Sequence, residues 1–249
     1  MLLLGLSAIA RADGPGYAWR TAAGGSETIA TRLSPPAGAQ RPSLPRGSFA
    51  AWLRDLPLLS SGGPVLLFDG TPKARQDVHA AIVDLDVGKR DLQQCADAVM
   101  RLRAEYLFAA HRPIAFHPEP GKPRALAFDG SDRRAFTQYL VRLFADAGTA
   151  SLAAELPSPP ADAPVEPGDV LIQGGYPGHA VLVLDVADAP DGKRYLLIGQ
   201  SYMPAQQFHV VKNFTDPSLS PWFDAATLAS GLQTPEWRPF TRRDLRRFR

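Results

Sequence analysis

The sequence predicts an α+β fold, and three observations lead to that class. The chain has 249 residues with 45% hydrophobic and 21% charged side chains, which is the balance of an ordinary globular domain. Two stretches, 91–109 and 131–147, repeat their apolar residues at helical spacing. A later stretch, 167–202, has three short apolar runs separated by turn residues, which is typical of consecutive strands. Helices followed by such a meander indicate one domain in which helices pack on a mainly antiparallel sheet.

The N-terminus has the pattern of a secretion signal. An apolar run at 2–10 is followed by Ala10-Arg11-Ala12, a small-x-small site, and the run is too short to span a bilayer. We therefore expect 1–12 to be a signal peptide and the protein to be exported, to the periplasm or the cell surface. The alternative is that these residues begin a buried apolar strand or helix.

The next part of the chain leads into the domain. Residues 13–46 are rich in Gly, Pro, Ala and Ser, and we expect an extended leader that drapes over a single domain at 47–249. Ser48 is a suitable N-cap for a short helix. Short strands are expected at 65–68 and 78–87.

Two helices precede the meander. The first is expected at 91–109 with Asp91 as its N-cap, and Cys95 lies in its apolar stripe. The second is expected at 131–147, where Gly148 ends it. After the meander, proline and aromatic residues interrupt the chain, so we expect an irregular C-terminal tail that wraps the domain.

The meander has a local signal for each strand and turn. Its strands are expected at 169–173, 179–186 and 194–200, and an Asp-Gly pair at 191–192 marks the reversal between the last two. The middle strand is apolar almost without alternation, so both of its faces should be covered. It begins with His179 directly after a glycine-rich turn, which places the imidazole at the rim of the sheet.

Cys95 is the single cysteine of the chain and a candidate nucleophile. It falls in the first turn of its expected helix, where free backbone N–H groups and the helix dipole favour a thiolate. A neighbouring imidazole would lower the pKa of the thiol further and accept its proton. The alternative is a buried structural residue, because free cysteine is among the most buried residue types.

His179 is the candidate partner of Cys95. In a hairpin with an even-numbered loop, Gln200 would share a face of the sheet with His179, and its amide could fix the tautomer of the imidazole. An odd-numbered loop would instead put Gln200 on the opposite face. The alternative for His179 is a hydrogen-bonded histidine at the end of a strand, without a catalytic function.

A helix that starts at Gln94-Cys95, followed by the runs PGDV, GHAVLVLDV and GQS, resembles the papain-like CHAP and NlpC cell-wall hydrolases. The resemblance implies a papain-like α+β fold with Cys95 as nucleophile, His179 as base and Gln200 as the orienting residue. It also implies that Gln94, or the backbone N–H of Cys95, helps to stabilise the oxyanion.

A closer resemblance covers most of the domain, from about Ser48 to Trp237. The chain contains the blocks GSFAAWLRDLPL, PVLLFDG, DVHAAIVDLDVGKRDLQQCADAVMRLRAEYLF, PGDVLIQGGYPGHAVLVLDV and GQSYMPAQ. These blocks resemble a bacterial family known as domain of unknown function 4846. The resemblance implies an exported or surface-associated bacterial protein and does not imply a particular reaction.

Two further pairs of residues suggest other chemistry. Asp84 and Asp86 would share a strand face and could act as paired carboxylates in glycoside hydrolysis, although such a pair is usually the solvated side of an edge strand. His111 and His117 have no partners at metal-ligand spacing, so we expect no metal site and no cofactor.

Charge and aromatic content bear on the partners. The formal net charge of +2 does not indicate nucleic acid, and the arginines at 242–249 are typical of a solvated face. Trp222 and Trp237 could stack on sugars, but packing of the tail is the simpler interpretation. We expect no nucleic acid and no membrane span, with peptidoglycan or another envelope polymer as the candidate partner.

The sequence thus supports one leading hypothesis and one alternative. The first is an exported cysteine hydrolase that cleaves an amide bond, in cell-wall peptide, through Cys95, His179 and Gln200. The second is a non-catalytic envelope or glycan-binding module on the same scaffold. A hydrolase requires Cys95 and His179 to lie side by side, within about 4 Å for a loose hydrogen bond.

Overall fold

A seven-stranded sheet organises the part of the chain that the structure describes, residues 15–20 and 27–249 of a computed structural model. The expected signal peptide at 1–12 lies outside these residues. Every strand pair in the sheet is antiparallel, and helices pack on it. The predicted α+β class with a mainly antiparallel sheet is therefore confirmed.

The strands of the main sheet run in the order β1-β7-β6-β5-β4-β9, with β8 also paired to β6, and β2 and β3 form a separate hairpin. Their bounds are β1 His79–Ile82, β2 Ile114–Phe116, β3 Leu126–Phe128, β4 Asp169–Gln173, β5 His179–Asp188, β6 Arg194–Gln200, β7 His209–Val211, β8 Trp222–Asp224 and β9 Leu245–Arg247.

The helices lie mostly on one side of this sheet. Their bounds are α1 Ile29–Arg32, α2 Phe49–Arg54, α3 Cys95–Ala109, α4 Arg133–Asp146 and α5 Thr149–Glu155, with two 3₁₀ turns at Ala225–Ala229 and Arg242–Asp244. Ser48 caps α2 as predicted, since its Oγ accepts a hydrogen bond from the N–H of Ala51 at 3.2 Å. Over the described residues, none of these helices combines the length and apolarity that crossing a membrane requires.

Strand β5 is buried on both faces, as its apolar sequence predicts. Ala180 and Leu182 belong to the larger core, which includes Val99 of α3. Val181 belongs to a smaller core on the other face, and Phe240 of the C-terminal tail closes that core. The tail therefore helps to cover one face of β5, and it is less irregular than expected because it also contributes strands β7, β8 and β9.

The start of α3 differs from the prediction. The helix begins at Cys95 with Gln94 as N-cap, so Cys95 is its first residue. Asp91 was expected to cap it, but the Oδ1 atom of Asp91 accepts the N–H of Ala205 at 2.6 Å. A hydrogen bond to a distant loop has replaced the local capping bond, which leaves the backbone free to turn once more before the helix starts.

Two predicted strands are shorter than expected. The stretch 78–87 forms β1 only at His79–Ile82, and the stretch 65–68 contributes single bridges at Leu66 and Leu67. After Ile82 the chain leaves β7 and bonds to the segment beyond α2, with the N–H of Asp84 donating to Pro57 at 2.8 Å.

The described part of the leader contacts the sheet through a buried carboxylate. Asp185 on β5 is fully buried and binds two arginines, Arg41 of the leader at 2.5 Å and Arg54 of α2 at 2.7 Å. The backbone of Gln40 also exchanges hydrogen bonds with Asp188 at 2.8 Å. The leader thus supplies a charge that β5 requires, because a buried carboxylate without partners is strongly disfavoured.

A substitution on β6 tests the packing around this sheet. A Cβ atom at Gly199 would lie 2.6 Å from Leu184 Cδ1 and 2.6 Å from Phe208 Cε1, inside van der Waals contact with both core residues. We expect Gly199→Ala to lower the free energy of unfolding by about 1–3 kcal/mol, measured by urea denaturation. Gly63→Ala is the matched control, because a Cβ atom there meets no heavy atom within 4 Å. Equal losses in the two variants would contradict this description of the core.

Candidate active site

His179 begins β5 after a turn that only glycine can complete. A Cβ atom at Gly178 would lie 2.1 Å from Thr149 Oγ1 and 2.7 Å from the carbonyl oxygen of Gln173. The close approach of α5 to this turn therefore requires glycine and places His179 at the first position of the strand. Its side chain is fully buried, so the imidazole lies under the rim and not on it.

Gln200 lies on the same face of the sheet as His179, but the reason differs from the one that the sequence predicted. Asp188 pairs with Arg194, and the loop between them, 189–193, has an odd number of residues. With regular pairing throughout, this loop would place Gln200 and His179 on opposite faces of the sheet. A register shift between Val183 and Asp185 adds one residue to β5 and so returns Gln200 to the face of His179. His179 Nε2 and Gln200 Oε1 are consequently 3.0 Å apart and hydrogen-bonded.

Two charged residues hold the amide of Gln200 in place. Gln200 Nε2 donates to Glu236 Oε2 at 2.8 Å, and Lys73 Nζ donates to both carboxylate oxygens of Glu236 at 2.8 and 2.7 Å. Lys73 is only 6% exposed. Sequence reasoning missed both residues, because nothing in the local pattern distinguishes this lysine and glutamate from surface charges.

The Glu236 carboxylate determines the tautomer of His179. A carboxylate can only accept, so the Gln200 atom that faces Glu236 is the NH₂ group and the atom that faces His179 is the carbonyl oxygen. A neutral His179 must then carry its proton on Nε2, which leaves Nδ1 as an unprotonated acceptor. Among the residues that the structure describes, Nδ1 is buried and has no hydrogen-bond partner.

Aromatic rings enclose this imidazole and keep it neutral. The ring of His179 lies 4.9 Å from that of Tyr202 and 5.1 Å from that of Trp237, measured between centroids. Burial lowers the pKa of His179 to about 4, against the opposing effect of the Gln200 hydrogen bond. His209 lies on the far side of Gln200, and burial, followed by the charge of Lys73, lowers its pKa to about 3.

Cys95 lies against the backbone on both sides of His179. Its Sγ atom is 4.0 Å from the carbonyl oxygen of Gly178, and the N–H of Ala180 is also directed at the sulfur. The side chain is 4% exposed. No hydrogen bond joins Cys95 to either ring nitrogen of His179, since Nε2 binds Gln200 and Nδ1 has no partner among the described residues.

The thiol of Cys95 is less acidic than its position at the helix start predicts. Burial raises its pKa to about 11, although the backbone N–H groups of Ala180, Ala96 and Cys95 itself act in the opposite direction. The prediction that the start of the helix makes Cys95 a thiolate is therefore wrong for this structure. Desolvation of the charged form outweighs the donors at the helix N-terminus.

A cleft of about 340 Å³ opens beside the start of α3 and reaches Cys95. Gln94 lines it, and its side-chain Nε2 donates to Asp91 Oδ1 at 3.0 Å. Tyr176 forms the opposite lip and is 92% exposed, which is unusual for a large aromatic side chain. The cleft brings Cys95, the helix N-terminus and Gln94 to one surface.

The remaining candidates have structural partners. Asp84 and Asp86 bind different arginines, Arg20 at 3.3 Å and Arg101 at 2.8 Å, and they lie beyond the end of β1. His117 contacts Glu155 at 3.2 Å.

Both tryptophans named as candidate sugar platforms belong to the packing of the tail. Trp222 is 1% exposed and donates to the carbonyl of Ser34 at 2.8 Å. Trp237 packs on His179 and donates to Gln173 Oε1 at 3.0 Å.

Comparison with known protein families finds a match over most of the chain. The family model described as domain of unknown function 4846 matches residues 29–125 and 122–247, which is most of the chain and includes every residue of the site. The chain belongs to this family. No curated protein and no solved structure matches it. The description of the family names no reaction, so the function has to be argued from the geometry around Cys95 and His179.

The buried histidines predict how stability depends on pH. The unfolded chain binds protons at the ordinary histidine value of 6.5, while folding lowers the pKa of His179 to about 4 and that of His209 to about 3. Their contribution to stability is therefore complete above pH 6.5 and is lost as the pH falls through this window. We expect His209→Gln to make the fall in unfolding free energy between pH 6.5 and 4.5 shallower by about 1 kcal/mol per pH unit, measured by urea denaturation.

His111→Asn provides the control for this measurement, because it replaces an exposed histidine with a residue that also accepts a positive φ. An unchanged pH dependence in His209→Gln would show that His209 is not buried as a neutral imidazole.

Proposed function

We propose that this protein is a papain-like thiol hydrolase that cleaves an amide bond, with Cys95 as nucleophile, His179 as base and Gln200 as the residue that orients His179. The observation that supports this most directly is the state of His179. Its Nε2 is held by Gln200 at 3.0 Å, and its buried Nδ1 is an acceptor without a partner among the described residues, next to the strand backbone that Cys95 contacts.

The reaction would begin with attack of the Cys95 sulfur on the substrate carbonyl carbon, while His179 Nδ1 accepts the thiol proton. The negative charge that develops on the carbonyl oxygen would be stabilised by the N–H of Cys95, at the start of α3, and by the amide of Gln94. His179 would then give its proton to the leaving amine, which produces a thioester. Water, deprotonated by His179, would hydrolyse the thioester and restore the thiol.

The neutral state of both groups fits a base that accepts its proton during the attack. With the pKa of Cys95 raised to about 11 and that of His179 lowered to about 4, a thiolate–imidazolium pair is not formed in advance. Gln200 Oε1 would stabilise the imidazolium as it forms, with the charge of Glu236 behind it. Catalytic hydrogen bonds often shorten only when substrate binds, so the absence of a Cys95–His179 bond is compatible with this sequence of steps.

The proposed site of action is the cell envelope, and the proposed substrate class is the peptide part of peptidoglycan. The signal-like residues 1–12 support export, and the resemblance of the runs around Cys95 and His179 to CHAP and NlpC hydrolases supports a cell-wall peptide.

A non-catalytic envelope or glycan-binding module remains the second candidate, and one observation favours it. Burial holds Cys95 as a thiol and His179 as a neutral imidazole, which is also the state of two residues that only pack. The two candidates differ in whether His179 controls the reactivity of Cys95.

Alkylation of Cys95 by iodoacetamide, followed by mass spectrometry, separates the two candidates. If His179 accepts the thiol proton, the rate constant should stay nearly constant between about pH 5 and pH 10, because proton transfer within the pair does not depend on bulk pH. In His179→Ala the rate constant should fall by about 10-fold or more at pH 7 and rise about 10-fold per pH unit, as for an isolated thiol. His111→Asn, the exposed control that accepts the positive φ of this position, should behave like the wild type.

The same pH profile in the wild type and in His179→Ala would contradict the hydrolase and support the non-catalytic module. The single cysteine makes the site of labelling unambiguous.

Glu236 provides a test of the orienting chain. Without its charge the amide of Gln200 is free to rotate and present its NH₂ group to His179, which would move the imidazole proton to Nδ1. We expect Glu236→Gln to lower the pH-independent rate of alkylation by about 10-fold without changing the limb above pH 10. The double variant Lys73→Met/Glu236→Gln avoids an unpaired buried lysine and should show the same loss. A normal plateau in the double variant would exclude Glu236 as a positioning residue.

A further inference from the structure

The cleft beside Cys95 has charged walls of one sign only. Asp91 and Asp97 line it, and no lysine, arginine or histidine side chain does so among the residues that the structure describes. The other lining groups are apolar or uncharged, including Leu92, Phe144 and Tyr176. A cationic ligand in this cleft would therefore meet carboxyl groups, and no competing cation among the described lining residues, close to the thiol.

Asp97 has a buried carboxyl oxygen without a partner. The residue is the third of α3 and is 6% exposed. Its Oδ2 atom accepts the N–H of Gln94 at 3.0 Å, whereas Oδ1 is buried and lacks a hydrogen-bond partner among the described residues. An unsatisfied buried oxygen is costly, and it is a feature that a donor on a ligand would correct.

The electrostatic state of Asp97 fits a positively charged ligand. Burial raises the pKa of its carboxyl group to about 8, opposed by the N–H groups of Gln94 and Asp97. A cation placed beside the carboxyl group would favour its ionised form and reverse this shift. Asp91 at the rim is exposed and is held through Oδ1 by Gln94 and Ala205, so it lies in a fixed position on the way in.

From this geometry we infer that the cleft binds a primary ammonium group of the substrate, with Asp97 Oδ1 as its acceptor and Asp91 as the guiding charge at the rim. This inference rests on the proposed function, because it makes the substrate of Cys95 an amide that carries a free amine near the scissile bond. Anionic amides would be disfavoured by the charge of Asp91 and would form no ion pair with Asp97.

Charged thiol reagents measure this selectivity in the full chain without a known substrate. The thiolate of Cys95 attacks the sulfenyl sulfur of a methanethiosulfonate, an S–S bond forms, the S–SO₂ bond breaks, and methanesulfinate leaves with the electron pair. The probes are 2-aminoethyl methanethiosulfonate, a primary ammonium, and 2-sulfonatoethyl methanethiosulfonate, an anion. The readout is the rate constant of the ammonium reagent divided by that of the anionic reagent, both measured with Cys95. This ratio is then divided by the same ratio measured with 2-mercaptoethanol.

We expect this normalised ratio to be about 10-fold or more in favour of the ammonium reagent, because it meets the charge of Asp91 and itself favours the ionised form of Asp97. Asp97→Asn should lower it by about 3-fold or more, and Asp91→Asn, which keeps an Oδ1 acceptor for Gln94 and Ala205, should lower it by about 2-fold. Both reagents react with the same thiolate, so a change in the pKa of Cys95 cancels from the ratio. Asn at position 97 retains an acceptor for the N–H of Gln94, and Asp129→Asn, at an exposed position outside the cleft, is the control.

A normalised ratio near one, a ratio that neither substitution changes, or a Cys95 that neither reagent labels would overturn the ammonium site. Failure of the hydrolase would look different. A ratio near one with alkylation that depends on His179 would leave the hydrolase standing without the amine preference. A high ratio with alkylation independent of His179 would support a cleft for cationic ligands and remove the hydrolysis.

Discussion

The buried carboxylate of Glu236 is the group on which the arrangement of the site depends. It draws together Lys73 from the region before β1, Gln200 from the end of β6 and, through Gln200, His179 at the start of β5. The Glu236 side chain is only 10% exposed, so its charge requires both a counter-ion and a hydrogen-bond donor, and removing either would leave it unpaired beside apolar groups. The same carboxylate orients the amide of Gln200 and so selects the tautomer of His179. The packing of these segments and the tautomer of His179 therefore depend on one interaction.

The dry surroundings that strengthen this network also restrain the thiol. Burial raises the pKa of Cys95 to about 11 and lowers that of His179 to about 4, which keeps both groups neutral. Two buried polar atoms of the site are left without a partner among the described residues: Nδ1 of His179, whose preceding carbonyl Cys95 contacts, and Oδ1 of Asp97, two residues after Cys95 in α3. In the proposed reaction the first would accept the thiol proton, and in the inferred amine site the second would accept a hydrogen bond from the ligand. Buried polar groups are normally satisfied, so each of these atoms calls for a donor that the described residues do not provide.

The parts of the site that could be predicted from sequence are those with a local signal. Cys95 and His179 follow features that the chain displays within a few residues, a helix start and a glycine-rich turn before an apolar strand. Gln200 was placed on the correct face, but for an incomplete reason, because the odd loop and the register shift near Val183 compensate for one another. Lys73, Glu236 and Asp97 could not be identified in this way. Their meaning comes from residues that are distant in the chain or, for Asp97, from how deeply α3 is buried.

The sequence by itself determined the family, the α+β class and the bounds of strands such as Asp169–Gln173 and Arg194–Gln200, because apolar runs and turn residues act over short distances. Tertiary structure decided where α3 starts, since a bond from Asp91 to the distant Ala205 replaced a local cap. It also decided the ionisation of Cys95, which the helix start alone would have made a thiolate. Both outcomes depend on long-range contacts and on burial, and neither is encoded in the spacing of neighbouring residues.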